Sequence, residues 1–133
     1  MQTEHLTNLH PGWVIGGWLI AICVTAAVYL GGIGLGLVIP GRAALVWVVL
    51  AMVAGFFVGG LFVGLRWSDA PILHGTAIAF FSVLVWFLVT FFGELDTFDS
   101  TREVLGLILV QLAAAIGGAR MGRRVTLGRA GAD

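Results

Sequence analysis

Long apolar runs broken by short polar stretches set the pattern of this chain. Three runs contain no Asp, Glu, Lys or Arg. The first spans residues 13–39 and stops at Pro40-Gly41-Arg42, a helix-ending combination. The second spans 43–65 and meets Arg66-Trp67-Ser68-Asp69. The third spans 70–93, with His74 near its start, and ends at Glu94-Leu95-Asp96. Each reaches the ~20 residues that a helix needs to cross a hydrocarbon core. A fourth, shorter run covers Val104–Ala119 before Arg120. Ser100 and Glu103 fit a capping box ahead of it, so the fourth span is placed at 101–119. That run rises only about 24 Å, and Arg120 would snorkel to make up the difference. It is apolar on all sides, which argues against a helix lying along the surface. The prediction is one all-α transmembrane domain over 1–133, a four-helix bundle.

Composition agrees with this reading. Hydrophobic residues make up 59% of the chain and charged residues 11%, against about 25% charged in an ordinary soluble domain. A soluble enzyme, a disordered tail and a disulfide scaffold are all poorly served by such a chain. Cys23 is the single cysteine, placed inside the first span, where an inert buried thiol is expected. Net charge is zero, so no basic field exists to attract nucleic acid. The first apolar run is too long, and lacks the basic leader, for a secretory signal. All the cations are arginines. With both termini in the cytoplasm, Arg66, Arg120, Arg123, Arg124 and Arg129 lie inside and act as topology anchors, while Arg42 and Arg102 lie outside. Trp13 and Trp67 then sit near the inner interface and Trp47 near the outer one. Trp86 falls mid-span, where its indole N–H is expected to face another helix.

The chain also repeats itself. Gly59-Gly60-x3-Gly64-x-Arg66 and Gly117-Gly118-x3-Gly122-x-Arg124 follow one pattern, 58 residues apart. Leu9-His10 and Leu73-His74 mark comparable helix entries, so the chain reads as two parallel-repeat helical hairpins. Inverted repeats, common among alternating-access transporters, need an odd number of spans per unit. Gly32-x3-Gly36 and Gly55-x3-Gly59 add two further small-residue faces. Such faces let helix backbones approach, either inside the bundle or against a partner.

The stretch Gly59-Gly60…Gly64-Leu65-Arg66…Leu73-His74-Gly75 resembles the join between hairpins in uncharacterised small four-helix bacterial membrane proteins. The resemblance covers the second and third spans well, the fourth partly and the first poorly. It implies a four-helix fold in the bacterial plasma membrane. It implies no known reaction, so no catalytic residue carries over.

Candidate chemistry is sparse. His10 and His74 are the only pair that could ligate haem or a metal, and no carboxylate or thiol accompanies them in the membrane. No cofactor is expected. Gln111 is the one strongly polar residue of the fourth span, with Thr25, Ser82 and Thr90 as candidate cross-helix partners. An ion or proton path normally uses an intramembrane charge, and these spans have none. Glu94, Asp96, Asp99 and Glu103 form an acidic outer cluster without the EF-hand register. The C-terminal arginines read as a basic tail that can touch anionic lipid. These features favour a non-catalytic accessory subunit of a larger membrane complex, with respiratory or photosynthetic electron-transfer assemblies as candidate hosts. The alternative is a self-associating small channel or transporter. Expected partners are the lipid bilayer and either other membrane subunits or further copies of the chain.

Overall fold

The computed structural model describes residues 9–38, 42–66, 70–93 and 101–130. They form four α-helices: α1 (Pro11–Gly34), α2 (Arg42–Arg66), α3 (Pro71–Gly93) and α4 (Thr101–Ala130). No strand occurs among the described residues. Each helix contains a segment long and apolar enough to cross a membrane. Large apolar side chains including Leu30, Phe80, Phe87 and Leu109 remain exposed on the outside of the bundle. Such a coat suits lipid, because the backbone polar groups are bonded within the helices. The protein is a multi-pass membrane protein built as an all-α four-helix bundle.

Both ends of α1 have identifiable causes. Pro11 occupies the first turn, where its missing N–H is not needed, and Trp13 and Val14 donate to the carbonyl of His10. At the other end Gly36 adopts φ +68°, Gly36 N–H donates to Ile33 O, and Leu37 N–H donates to Gly32 O. This is the Schellman arrangement that halts a helix. The first helix therefore ends at Gly34 rather than running to Ile39, because a left-handed residue intervenes before the proline. Gly36 is a helix stop and not a packing residue; a Cβ there would meet nothing within 4 Å.

α4 departs in the opposite sense. It continues past Ala119 to Ala130, 30 residues in all, about 45 Å long. Arg120, Arg123 and Arg124 are thus helical and not part of a loose tail. One face keeps helical contact with α2 beyond the arginines: Gly122 packs on the Leu61–Leu65 turn, and Thr126 Oγ1 donates to Leu65 O at 3.2 Å. The capping-box Ser100, the acidic residues Glu94, Asp96 and Asp99, and Pro40-Gly41 lie outside the described residues.

The helix pairs follow from the close contacts. Gly55 faces Ala21 and Thr25 while Gly59 faces Gly17 and Ala21, so α1 and α2 are antiparallel. Gly60 faces Ala115 and Gly64 faces Ala119, so α2 and α4 run parallel. The most extensive contact in the bundle is between α2 and α4. The buried core combines small residues (Ala21, Ala115) with Phe56, Val63 and Ile78.

Candidate functional site

The α2–α4 contact is the centre from which the rest of the bundle is positioned. A Cβ on Gly60 would run into the carbonyl of Ala115, and one on Gly118 into the carbonyl of Phe57. One turn further on, Gly64 lies against Ala119 and Gly122 against Leu61. Each of these contacts maps onto its counterpart when the 58-residue repeat offset is applied. The two helices are therefore related by an approximate two-fold axis running along them. Gly17 and Gly75 are also one repeat apart, and each lies against the second helix of its own hairpin. The match is incomplete there. Gly59 touches α1, whereas its counterpart Gly117 has nothing within 4 Å and faces outward.

Among the glycines singled out from sequence, Gly55, Gly59, Gly60, Gly64, Gly118 and Gly122 thus lie against helices of the same chain. Gly32 lies near Val38 and Trp47, within its own hairpin. Gly36 and Gly117 take no part in packing within the chain. Gly17, Gly75 and Ala115 also lie in these contacts without belonging to a glycine pair. They belong to wider four-residue spacings of small residues: Gly17-x3-Ala21-x3-Thr25, Gly75-x3-Ala79 and Ala115-x3-Ala119.

The two histidines meet at the end of the bundle where α1 and α3 begin. They are not equivalent: His10 is the N-cap residue of α1, whereas His74 sits a turn into α3 and is fully buried. His74 Nδ1 lies 2.8 Å from Ala70 O, an acceptor, so Nδ1 carries the hydrogen. His74 Nε2 then accepts the backbone N–H of His10 at 3.3 Å. Both ring nitrogens of His74 are engaged, one of them by the backbone N–H of His10. The arrangement ties the start of α1 to α3. Among the described residues no group of three or more His, Cys, Asp or Glu converges. Arg66 lies over the Trp13 ring, 5.8 Å from its centroid, and Trp13 packs on Phe62. The starts of α1 and α3 and the end of α2 thus share one end of the bundle with the C-terminal part of α4.

Away from that end the helices part around a pocket of about 290 Å³. All four contribute to its lining: Trp18 and Thr25 from α1, Phe56 from α2, Trp86 from α3, and Leu107 and Gln111 from α4. Most of the lining is apolar. Trp18 is held edge-on against Phe81, with ring centroids 5.1 Å apart. Gln111 is buried at 8% exposure, and its Oε1 has no hydrogen-bond partner; neither has the indole N–H of Trp18. Thr25, one of the candidate partners of Gln111, donates to Ala21 O in its own helix at 2.7 Å. Ser82 lines the same pocket. Cys23, expected in the interior, is exposed on the outer face of α1.

No family model, curated protein or solved structure matches the chain. The bundle offers a half-open, mostly apolar pocket and, at its other end, a histidine engaged on both nitrogens.

Proposed function

We propose that this protein is a non-catalytic integral membrane protein serving as an accessory subunit of a larger membrane assembly. The observation carrying this reading is the engagement of His74. Among the described residues it is the titratable side chain with the least exposure; its Nε2 accepts from the start of α1 and its Nδ1 donates to Ala70 at the start of its own helix. Catalysis or proton relay asks for a group free to exchange a proton or bind a substrate. Respiratory or photosynthetic electron-transfer assemblies are the proposed hosts, since small helical subunits are at home there. The Arg distribution supports placing both termini in the cytoplasm of a bacterium, with the chain in its plasma membrane. The resemblance to small four-helix bacterial membrane proteins points the same way. The contact glycines are largely satisfied within the chain, so the surface offered to a partner is the outer apolar coat and the projecting part of α4.

A second reading, a self-associating channel or small transporter, draws on the pocket. Its lining suits a lipophilic molecule better than an ion. Purification from the native membrane in mild detergent tests the two. Co-migration with a large hetero-complex is expected for the accessory subunit, and a small homo-oligomer would replace that reading with the second.

A further inference from the structure

We propose that the outward face of α4, from Leu109 to Arg124, docks one transmembrane helix of another subunit, antiparallel to α4. That helix has small residues four apart and an aromatic ring at the end nearest the arginines. This rests on the accessory-subunit reading above and says where the partner sits. The 58-residue offset relates the outward face of α4 to a face of α2 that already holds a helix. There Ala51, Gly55 and Gly59 are buried. Gly55 faces Ala21 and Thr25 of α1, and Gly59 faces Gly17 and Ala21. Further along, the Trp13 ring packs on Phe62 and lies under the Arg66 guanidinium. The counterparts on α4 are Leu109, Ala113, Gly117, Arg120 and Arg124, and all five are exposed. A Cβ on Gly117 would meet nothing within 4 Å.

The vacancy has a structural cause. Gly75 is the counterpart of Gly17, but it lies against Ala115 and Ile116 rather than Gly117. α3 therefore sits further around α4, in contact with α1, and not in the place that α1 takes on α2. In the isolated chain the face left behind opens onto lipid. Helices in membranes associate through close backbone approach, which small residues permit, and α1 makes that approach on the matching face of α2. The fit is closest at Ala113 and Gly117, because Leu109 is larger than Ala51. At the far end Arg120 and Arg124 stand one turn apart and select the partner's chemistry. A ring there takes the part that Trp13 plays on Arg66, a cation–π contact, at the interfacial level where aromatic residues are favoured. A second copy is disfavoured through either matching helix. Its α1 contact face is already filled by its own α2. Its α4, docked face to face about a two-fold axis, would run parallel and set Arg120 and Arg124 against their equivalents, like charge against like.

The test uses the full-length chain in its native membrane, with the photo-crosslinker benzoylphenylalanine in place of Leu109. The same group in place of Phe80, exposed on α3, is the control. Mass spectrometry of the Leu109 adduct is expected to find one protein of different sequence. The junction should lie in an apolar helix with two small residues four apart and an aromatic residue toward the arginine end. Gly117→Leu puts bulk on the face and should lower the adduct roughly tenfold or more, the effect of overpacking a fitted contact. Arg124→Gln should lower it about two- to fivefold, the size of an exposed cation–π contact. Neither change should move the melting temperature of the purified chain. Gly12→Leu, on the outer face of α1, should leave the adduct unchanged. A Leu109 adduct that survives Gly117→Leu overturns the proposal, as does one no stronger than that at Phe80, one made only with lipid, or one made with a copy of this chain. If the chain then still co-migrates with a large hetero-complex, the accessory-subunit reading stands and only this face is wrong. A chain that migrates alone or as a homo-oligomer removes both.

Discussion

Gly117 and Gly118 are neighbours in sequence with opposite surroundings. Gly118 sits against the backbone of α2, so a side chain there forces the two helices apart; Gly117 opens onto lipid. Gly118→Leu should therefore destabilise the bundle by at least the about 1–3 kcal/mol typical of overpacking, and Gly60→Leu should do the same from the other side of the contact. Gly117→Leu should be close to neutral. Thermal melting of the three variants in one detergent checks this, and equal effects at Gly117 and Gly118 would contradict the packing described. His74 allows a second comparison. His74→Phe keeps much of the volume but removes the acceptor for His10 N–H and the donor to Ala70 O, at a cost of about 1–2 kcal/mol. Added metal should not change the melting of the parent protein; a metal-dependent rise lost in His74→Phe would restore the ligand reading. The repeat glycines were legible in sequence because their spacing was regular. Which of them face α2 or α4, and which face outward, was not legible, since adjacent helical residues differ by about 100° and sequence does not fix the rotation.

At the scale of elements, the helix count could be read from the apolar runs and the two hairpins from the 58-residue repeat. The ends could not. Pro40 looked like the stop of the first helix, yet the stop is the left-handed Gly36 four residues earlier, a backbone event with no hydrophobic signature. Likewise Arg120 looked like the end of the fourth span. The helix instead proceeds through the arginines, because nothing there breaks it and Gly122 and Thr126 still rest on α2. Two variants follow. Gly36→Val places a β-branched residue at positive φ and should lower stability by about 1 kcal/mol or more, whereas Gly34→Ala should be neutral or mildly stabilising. Detergent melts of the pair test the helix stop. Gly34→Ala proving the more harmful of the two would argue against it.

For the whole molecule, the even number of spans and the shared end of α1, α2, α3 and the last turns of α4 imply that residues near both termini face one compartment. With Cys23 replaced by Ala, cysteines introduced at Gly12 and Gly128 should label from the same side of the membrane. One at Gly34 should label from the other. Labelling of Gly12 and Gly128 from opposite sides would break the four-span topology. The pocket is the feature of the whole molecule that sequence concealed most completely. Gln111 stood out as polar, but its surroundings depend on how four helices diverge beyond the glycine contacts, and Thr25 donates to its own helix.

The parallel docking of α2 on α4 has a consequence for biosynthesis. A ribosome delivers α2 to the membrane a whole hairpin before α4 exists, so the strip at Gly60 and Gly64 has no partner while α3 and the following loop are being made. During that interval the nascent first hairpin presents its most adhesive surface sideways to lipid. A second nascent chain at the same stage presents the same surface, and the quasi-symmetry of the α2–α4 contact means that two copies of α2 could meet in nearly the same geometry. Timely emergence of α4 is then what keeps the chain monomeric at this seam. Slowing translation between α3 and α4 should raise the yield of α2-mediated dimers trapped by a cysteine at Phe57, a product that normal elongation suppresses.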